Sequence, residues 1–372
     1  MSRTQKTKRQ FRSLQTFSSL TWIFLCFFFN IHWVKSQQQY YKNISVEEGL
    51  SHNTVFAILQ DSRGFMWFGT KDGLNRFDGS RFKVFKNEPQ NPYSIGSNTI
   101  QSLFEDRQGI IWVGTNQGVY LYDPQTEKFS FFDVTDQDGN SVWGQILEIR
   151  EDNNQQVWIA SSSSGLYRFQ TKNNSLTHFY HDPLNPRSLA SGSVSSMTID
   201  SKNNVWVGIL GGGVQKFISA NESFDKFDSP HEDLGKDLIL DLFDHDQELL
   251  IGTKNGGLKK LIKSSGKVEN VFEEDRENNT LFIRDMAKLN TNELWICTEL
   301  GIYIYNTMTH TYSHVTQNPN DPYSIADNAI YCLFCLQELK KYHCHKVDFG
   351  GEIGQSFQPA LFSCQGYPIL SP

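Results

Sequence analysis

Cysteine is scarce in the body of this chain. Of its six cysteines, only Cys297 lies between Gln37 and Tyr331. A stretch of this length with one cysteine is not a disulfide-stapled scaffold, so a hydrophobic core must supply its stability. Aromatic residues make up 13% of the chain, and they favour strands because they suit a pleated, half-buried surface.

Basic charge and long apolar runs are limited as well. The formal net charge is −7, and because residues 1–36 carry six Lys or Arg and no Asp or Glu, the chain without them has a charge of −13. Such a chain lacks the basic surface that binds nucleic acids or anionic membranes. The apolar run Leu20–Phe29 is shorter than the roughly 20 residues of a transmembrane helix. We expect no nucleic-acid partner and no membrane segment in the mature chain.

Residues 1–36 are predicted to be a signal peptide. A basic segment from Arg3 to Arg12 precedes the apolar run, and Val34-Lys35-Ser36 places small residues before Gln37. We expect cleavage there and a periplasmic mature protein. An uncleaved inner-membrane anchor is the alternative.

One pattern recurs six times. It is clearest in DSRGFMWFGTKDGLNRFD, Asp61–Asp78, and DRQGIIWVGTNQGVYLYD, Asp106–Asp123, where Asp, Gly, Trp and Thr recur at identical spacing. Looser copies begin at Asp152, Asp200, His245 and Asn290. The anchor positions, 44 to 48 residues apart, are Trp67, Trp112, Trp158, Trp206, Leu250 and Trp295. A period this regular indicates a repeat architecture.

Each period encodes four short strands. In the first, TVFAILQD, FMWFGT, LNRFD and RFKVF are separated by the turns SRG, KDG and Gly79-Ser80. Four antiparallel strands per period are typical of a β-propeller blade. We therefore predict an all-β fold, a β-propeller of four-stranded blades, with six complete blades and an incomplete seventh over residues 37–334.

The repeated Gly and Trp residues are predicted to be structural. Gly at the end of a tight hairpin supplies the positive φ that β-branched residues avoid. Trp in the second strand would fill the wedge between neighbouring blades.

The period DxxGxxWxGTxxGLxxFD, with GLSHNTV before it and NPYSI loops between blades, resembles the two-component regulator propeller over residues 38–334. This resemblance implies seven-bladed propellers, usually two in tandem, in the periplasmic sensor region of Bacteroides-type hybrid two-component systems. A β-sandwich, a membrane helix, a histidine kinase, a receiver and a DNA-binding regulator follow there, in a homodimer. The implied ligand is an oligosaccharide, whose detection switches on genes for polysaccharide degradation.

Catalytic motifs are missing from the sequence, which has no HExxH, GxSxG, P-loop or dinucleotide motif. Asp244-His245-Asp246 carries metal-ligand residue types and Gly211-Gly212-Gly213 suggests a phosphate loop, but the repeat places both in turns between strands. No phosphoacceptor-histidine box or ATP-binding box is found either. We expect no catalytic residue, metal or cofactor, and no enzyme activity.

The seventh blade is predicted to combine both ends of the ring. Asp321–Phe334 matches Asn91–Phe104 at eight of fourteen positions, and Tyr40–Val46 is predicted to be the fourth strand of the same blade. Residues 335–372 lose the period and hold three of the six cysteines. We interpret them as an out-of-frame or disordered tail and the chain as a truncated or frameshifted sensor.

A zinc-binding tail is the alternative to that interpretation. Its ligands would come from Cys332, Cys335, His343, Cys344, His345 and Cys364. Neighbouring residues in an extended His-Cys-His point in alternate directions, so all three cannot readily reach one metal, and regular paired spacing is absent.

Topology places the candidate ligand residues on one face. The crossover loops that enter the first strands, including Asn87–Asn98, His181–Ser193 and Asn318–Asn328, share a face with the turns between second and third strands. The predicted ligand-binding residues there are Lys71, Asp72, Tyr93, Asn98, Asn116, Gln117, Tyr323 and Asn328. The alternative is that NPYSI only builds a rigid crossover.

Two other classes of function stay open. A secreted propeller carbohydrate-active enzyme, a lyase or hydrolase, would need polar residues from several blades converging on the central funnel. A protein-binding scaffold would need a large apolar patch on one face.

Overall fold

A four-stranded meander, repeated six times, makes up the described chain. The computed structural model describes residues 44–227, 234, 237–272, 281–321 and 324–332. A short 3-10 turn, Val46–Glu48, precedes the first strand. Blades 1 and 2 are β1 Val55–Gln60, β2 Met66–Thr70, β3 Gly73–Phe77 and β4 Phe82–Phe85, then β5 Ile100–Glu105, β6 Ile111–Thr115, β7 Gly118–Asp123 and β8 Lys128–Phe131. Blades 3 and 4 are β9 Ile146–Glu151, β10 Gln156–Ser161, β11 Gly165–Gln170 and β12 Ser175–Phe179, then β13 Val194–Ile199, β14 Val205–Ile209, β15 Gly213–Ile218 and β16 Ser223–Phe227. Blades 5 and 6 are β17 Ile239–His245, β18 Glu248–Thr253, β19 Leu258–Ile262 and β20 Lys267–Phe272, then β21 Ile283–Lys288, β22 Glu293–Thr298, β23 Gly301–Asn306 and β24 Thr311–Val315.

The six sheets form a β-propeller. Within each sheet the strands pair antiparallel in sequence order. The first strands of successive blades contact one another from β1 to β21, so they line the central axis and the fourth strands lie outside. This confirms the predicted all-β fold of four-stranded blades. Within the described ranges, no helix has the length and apolar character needed to cross a membrane.

The predicted wedge role of the tryptophans is confirmed. Trp67 is fully buried and packs against Tyr122 of the next blade, with ring centroids 5.0 Å apart. Trp158 meets Phe217 of its following blade in the same way, at 4.9 Å. Each of these pairs belongs to a hydrophobic cluster formed by two adjacent blades, so the core of this fold lies between blades.

The aspartate that opens the repeat binds the tryptophan. The indole N–H of Trp67 donates to Asp61 (2.9 Å), and the other carboxylate oxygen of Asp61 accepts the backbone N–H groups of Arg63 and Phe65. Trp112, Trp158 and Trp206 donate to their own aspartates likewise. One carboxylate therefore closes the turn between the first and second strands and satisfies a buried donor.

The repeated glycines serve two different purposes. Gly73, with φ +128°, begins the third strand in the left-handed conformation that was predicted for hairpin glycines. Gly252 has no such angle, and a Cβ there would lie 2.6 Å from Ile283 Cγ2 of the next blade. The glycine after the anchor is thus required by the close approach of neighbouring blades near the axis.

The seventh sector is described only in part. The thiol of Cys332 lies 3.6 Å from the Val55 carbonyl of β1, which repeats the bond from Ser102 to the Ile146 carbonyl in the next blade. The predicted first strand is not assigned as strand over its described part, and neither Ile44 nor Ser45 of the predicted fourth strand is in a strand. The predicted signal peptide and the tail 335–372 lie outside the described residues.

Candidate functional site

Every first strand carries the same β-bulge beside the central axis. In β5 the pairing with β6 passes from Ile100 to Ser102, which leaves Gln101 unpaired, and the other five first strands skip one residue at the same position. The skipped residues are Phe56, Gln101, Leu147, Ser195, Leu240 and Arg284. All six line one cavity, together with Tyr331 at the matching position of the seventh sector. The bulges therefore build a channel wall by turning side chains inward.

The central cavity has the volume of a ligand site. It measures about 710 Å³, within the range usual for small-molecule pockets. Its lining extends to Asn153 and Ser201, which follow first strands, and to Asp244 near the end of β17. The cavity therefore reaches toward the face that carries the turns between first and second strands.

Carboxylates from three blades converge on this channel. Glu148, Asp241 and Asp285 each follow a bulge and line the cavity. Glu148 accepts the backbone N–H of Met197 in the next blade (2.7 Å), and Asp241 accepts that of Met286 (2.8 Å). Glu148 and Asp241 thus have a structural task as well as a position in the cavity, since each joins one blade to the next.

Arg150 is the cation of this group. Its Nε donates to Glu148 (2.7 Å) and to the Met197 carbonyl (3.0 Å). The charge of Glu148 raises the pKa of Arg150, burial opposes this, and the charges of Asp241 and Asp285 add to it. The side chain keeps 44% of its accessible surface, but that surface faces the channel, where neighbouring charges are screened less than in bulk water.

Asp241 holds its proton more tightly than an ordinary aspartate. Burial raises its pKa well above the usual value, the charges of Asp285 and Glu148 raise it further, and Arg150 opposes the shift. Like charges that share a low-dielectric site favour protonation of one member. The channel can therefore present a hydrogen-bond donor at Asp241 beside acceptors at the other carboxylates.

Aromatic rings form another part of the channel wall. The guanidinium of Arg284 lies 4.0 Å from the centre of the Tyr331 ring, and Tyr331 meets Phe56 edge to face at 6.2 Å. The Nε of Arg284 donates to Glu299 (3.0 Å). The cavity thus joins a flat aromatic surface to a charged, hydrogen-bonding one.

Of the predicted ligand residues that the structure describes, none lines this cavity. Asp72 and Asn98 are brought together at 3.1 Å, and Asp72 also pairs with Lys86 at 2.6 Å. Asn98 accepts the backbone N–H of Asn87 (2.7 Å), which closes the crossover loop. Lys71 is exposed, and its backbone N–H donates to the Thr54 carbonyl.

The remaining predicted residues are spread over the same face. Asn116 accepts from Ser97 (2.5 Å), and the backbone N–H of Gln117 donates to Thr115. Tyr93 is 54% exposed beneath the ammonium of Lys128 at 4.1 Å. Asn328 repeats the loop-closing bond of Asn98, to the N–H of Gln317 (2.6 Å). Tyr323 lies outside the described residues.

The motifs considered for chemistry occupy turns only in part, because Asp244 and His245 are the last two residues of β17 and the turn placement predicted for them is wrong. Asp246, with φ +53°, follows β17 in the hairpin to β18. Gly211 and Gly212 connect β14 to β15, and Gly213 begins β15 as Gly73 begins β3. Over the described ranges, no group of three or more His, Cys, Asp or Glu side chains is placed to hold a metal ion.

The channel residues belong to no recognisable motif. They share only one position within the repeat, so a search for motifs does not find them. The position after the bulge reads Ala57, Ser102, Glu148, Ser196, Asp241 and Asp285, and it is occupied by Cys332 in the seventh sector. The position that follows it stays apolar in all six blades, while this position varies from alanine to aspartate. Aligning the six repeats against one another would have exposed it.

Two stretches of the repeat match a known protein family. Residues 49–72 and 94–117 match the family model described as two component regulator propeller. Two stretches of the repeat, in the first and second blades, therefore resemble that family. A stretch of 55 residues, 15% of the chain, is 46% identical to histidine kinase P4 of Formosa agariphila and covers 4% of that protein.

Solved structures share the propeller fold. The extracellular domain of the hybrid two component system BT3049 from B. thetaiotaomicron superposes with a TM-score of 0.69 at 24% identity, over 80% of this chain and 39% of that one. The extracellular domain of BT4673 from the same organism gives 0.66 at 21% identity, over 80% and 37%. The chain therefore spans less than half the length of these solved chains and a small part of the kinase.

Proposed function

We propose that this propeller is the extracytoplasmic ligand-sensing part of a hybrid two-component system and that its ligand is an oligosaccharide bound in the central channel. The observation that carries the proposal is the channel wall itself, built by the same bulge in six blades. Two solved proteins that share its fold are described as extracellular domains of such systems, and two stretches of its repeat match the two component regulator propeller.

The channel chemistry suits a sugar. Phe56 and Tyr331 offer ring faces for the apolar C–H side of a pyranose, while Arg150, Asp241 and Asp285 offer donors and acceptors for hydroxyl groups. A cavity of about 710 Å³ is large enough for a short oligosaccharide. A ligand that bridges blades would also change the forces between first strands, through which a signal would reach the rest of a longer receptor.

Calorimetric titration of the full chain with a panel of oligosaccharides tests this proposal. Phe56→Ala and Tyr331→Ala should each weaken binding of any active sugar at least tenfold, because each removes a stacking face. Tyr93→Ala on the crossover-loop face is the matched control and should leave the affinity unchanged. Loss of binding in Tyr93→Ala alone would place the ligand on the predicted loop face instead of the channel.

A carbohydrate-active enzyme is the second candidate, favoured by one observation. The pKa of Asp241 is raised, by burial and by the charges of Asp285 and Glu148, and carboxyl groups whose pKa values are pushed apart can divide the roles of acid and base. The backbone bonds of Glu148 and Asp241 to adjacent blades favour a structural role instead. Release of reducing ends from polysaccharides by the wild type, abolished in Asp241→Asn, would establish the enzyme.

A further inference from the structure

The fifth blade breaks the repeat at its most regular position. Leu250 stands where the other five blades have tryptophan. It lies on β18 opposite Lys260 of β19, just as Trp67 lies opposite Arg76 and Trp158 opposite Arg168. A branched aliphatic side chain therefore occupies a position whose surroundings are built for an indole.

Two walls surround the indole in the first and third blades, and the fourth blade keeps the first of them, whereas Trp112 and Trp295 lie opposite Leu121 and Ile304 instead of a cation. One is a cation from the third strand of the same blade: the charges of Arg76, Arg168 and Lys216 lie 5.8, 5.7 and 5.4 Å from the centres of their tryptophan rings. The other is an aromatic ring from the third strand of the next blade. Tyr122 and Phe217 meet Trp67 and Trp158 edge to face at 65°.

Both walls are kept in the fifth blade although the tryptophan is not. Lys260 corresponds to Arg76 of the first blade. Tyr305 on β23 corresponds to Tyr122, because each of the two tyrosines directly follows the third-strand residue that pairs with the anchor tryptophan of its own blade. Leu250, Lys260 and Tyr305 line a cavity of about 280 Å³. An apolar cavity of about 150 Å³ is enough to bind benzene.

The walls are held in position by their own partners. Lys260 pairs with Glu248 at 3.0 Å and with Glu269 at 3.4 Å, and the Tyr305 hydroxyl lies 2.8 Å from His310 Nδ1. Glu248, Glu269 and His310 all belong to the cavity lining. An incoming ring would therefore find its cation and its aromatic neighbour already oriented, which lowers the entropic cost of binding.

The cavity is accessible from one face of the propeller. Its lining includes His245 and Glu248, which flank the turn between β17 and β18, and Thr307 and His310 from the turn between β23 and β24. Its floor is Leu250, which is buried. A small molecule can enter past these turns without opening the interface between blades.

We propose that the interface between blades 5 and 6 is a binding site for a small aromatic molecule of the size of indole, which occupies the place left by the missing tryptophan. The site is separate from the central channel, since no residue that the structure describes lines both cavities. It recognises a ring by the cation and the edge-to-face aromatic contact that the first and third blades use internally.

Calorimetry with the full chain and indole as the probe tests this site, with cyclohexanol as a non-aromatic compound. Leu250→Trp fills the cavity from within and should weaken indole binding at least tenfold. Leu250→Met, which keeps the side-chain volume, is the matched control and should bind as the wild type does. Lys260→Gln removes the cation without filling the cavity and should weaken binding about two- to fivefold, so it tests the site even if Leu250→Trp does not fold.

The result that supports the site is saturable indole binding that follows this order of variants. Three results overturn it: no indole binding by the wild type at millimolar concentration, equal binding by Leu250→Trp and the wild type, or binding of cyclohexanol as tight as that of indole. None of these depends on the oligosaccharide ligand, so they leave the channel proposal to its own experiment.

Discussion

Replacing Asp152 by leucine gives the third blade the residue type that the sixth blade has at the matching position. Asp152 is 4% exposed and accepts three hydrogen bonds, from the backbone N–H groups of Asn154 (2.8 Å) and Gln156 (3.0 Å) and from the indole of Trp158 (3.2 Å). In the sixth blade the matching residue is Leu289, whose N–H opens the same turn. The indole N–H of Trp295 has no partner there among the described residues.

The loss of unfolding free energy depends on whether each N–H donor can find another acceptor after the substitution. Trp158 is 1% exposed, so its N–H cannot reach water, and a buried unsatisfied donor costs about 1–3 kcal/mol. Asn154 is exposed and can bond to water, so the two turn bonds together add about 1–2 kcal/mol. We expect Asp152→Leu to lower the free energy of unfolding by about 2–5 kcal/mol.

Urea unfolding of the full chain, followed by tryptophan fluorescence, measures this loss. Asp123→Leu is the matched control, because Asp123 also accepts a turn N–H, that of Gln125, but no indole, and its effect should be smaller. The converse substitution, Leu289→Asp, should raise the free energy of unfolding by about 1 kcal/mol by giving the Trp295 indole an acceptor. A midpoint for Asp152→Leu equal to that of Asp123→Leu would refute the reasoning.

Four further predictions concern pH, packing and processing. Hydrogen bonds from Trp206 and Asn204, with Lys263, lower the pKa of Asp200 despite the opposing effect of burial, which is the largest single influence. Its stabilisation is therefore present above the unfolded pKa of about 3.9 and is lost as pH falls through the folded pKa, so Asp200→Asn should cost stability in urea unfolding at pH 7 and less at pH 3. The raised pKa of Asp241 acts in the opposite direction. Its contribution to folding stability is present below about pH 4 and is lost as pH rises through the folded pKa. The stability of Asp241→Asn relative to the wild type should therefore increase from about pH 4 to 8. Gly252→Ala should lower the unfolding free energy by about 1–3 kcal/mol by overpacking, whereas Gly192→Ala, with its nearest contact at 3.4 Å, should change it little in the same assay. Mass spectrometry of the exported protein should find Gln37 at its N-terminus, and an intact Met1 would contradict the signal-peptide prediction.

The repeat made the fold predictable. Trp67 and Trp112 recur with the same glycines and threonines, and the two-residue alternation around them leaves few alternatives to a four-stranded blade. The closing sector was less predictable, because a strand needs a hydrogen-bonded neighbour as well as a suitable sequence. Ile44 and Ser45 fit a strand pattern but precede a capped 3-10 turn, in which Ser45 and Glu48 form a capping box.

The site was less predictable than the fold. Tyr93 and Asn98 were selected because long polar loops often bind ligands, and the structure places Asn98 in a bond that closes its own loop. Phe56 and Arg284 carry no motif, and they reach the channel only because each first strand bulges at the same point.

The sequence by itself determined the local elements of this protein: strand length, turn position, the anchor tryptophans and the number of repeats, since these depend on side-chain periodicity and on residues near in the chain. Only the tertiary structure decided which residues meet. Glu148, Asp241 and Asp285 come from three blades and share one channel, where burial and the charges of Asp285 and Glu148 raise the pKa of Asp241. Leu250, unremarkable as a residue, leaves a cavity because Lys260 and the next blade's Tyr305 still surround the position of an indole. Distances between blades are set by packing around the ring, and no spacing along the chain encodes them.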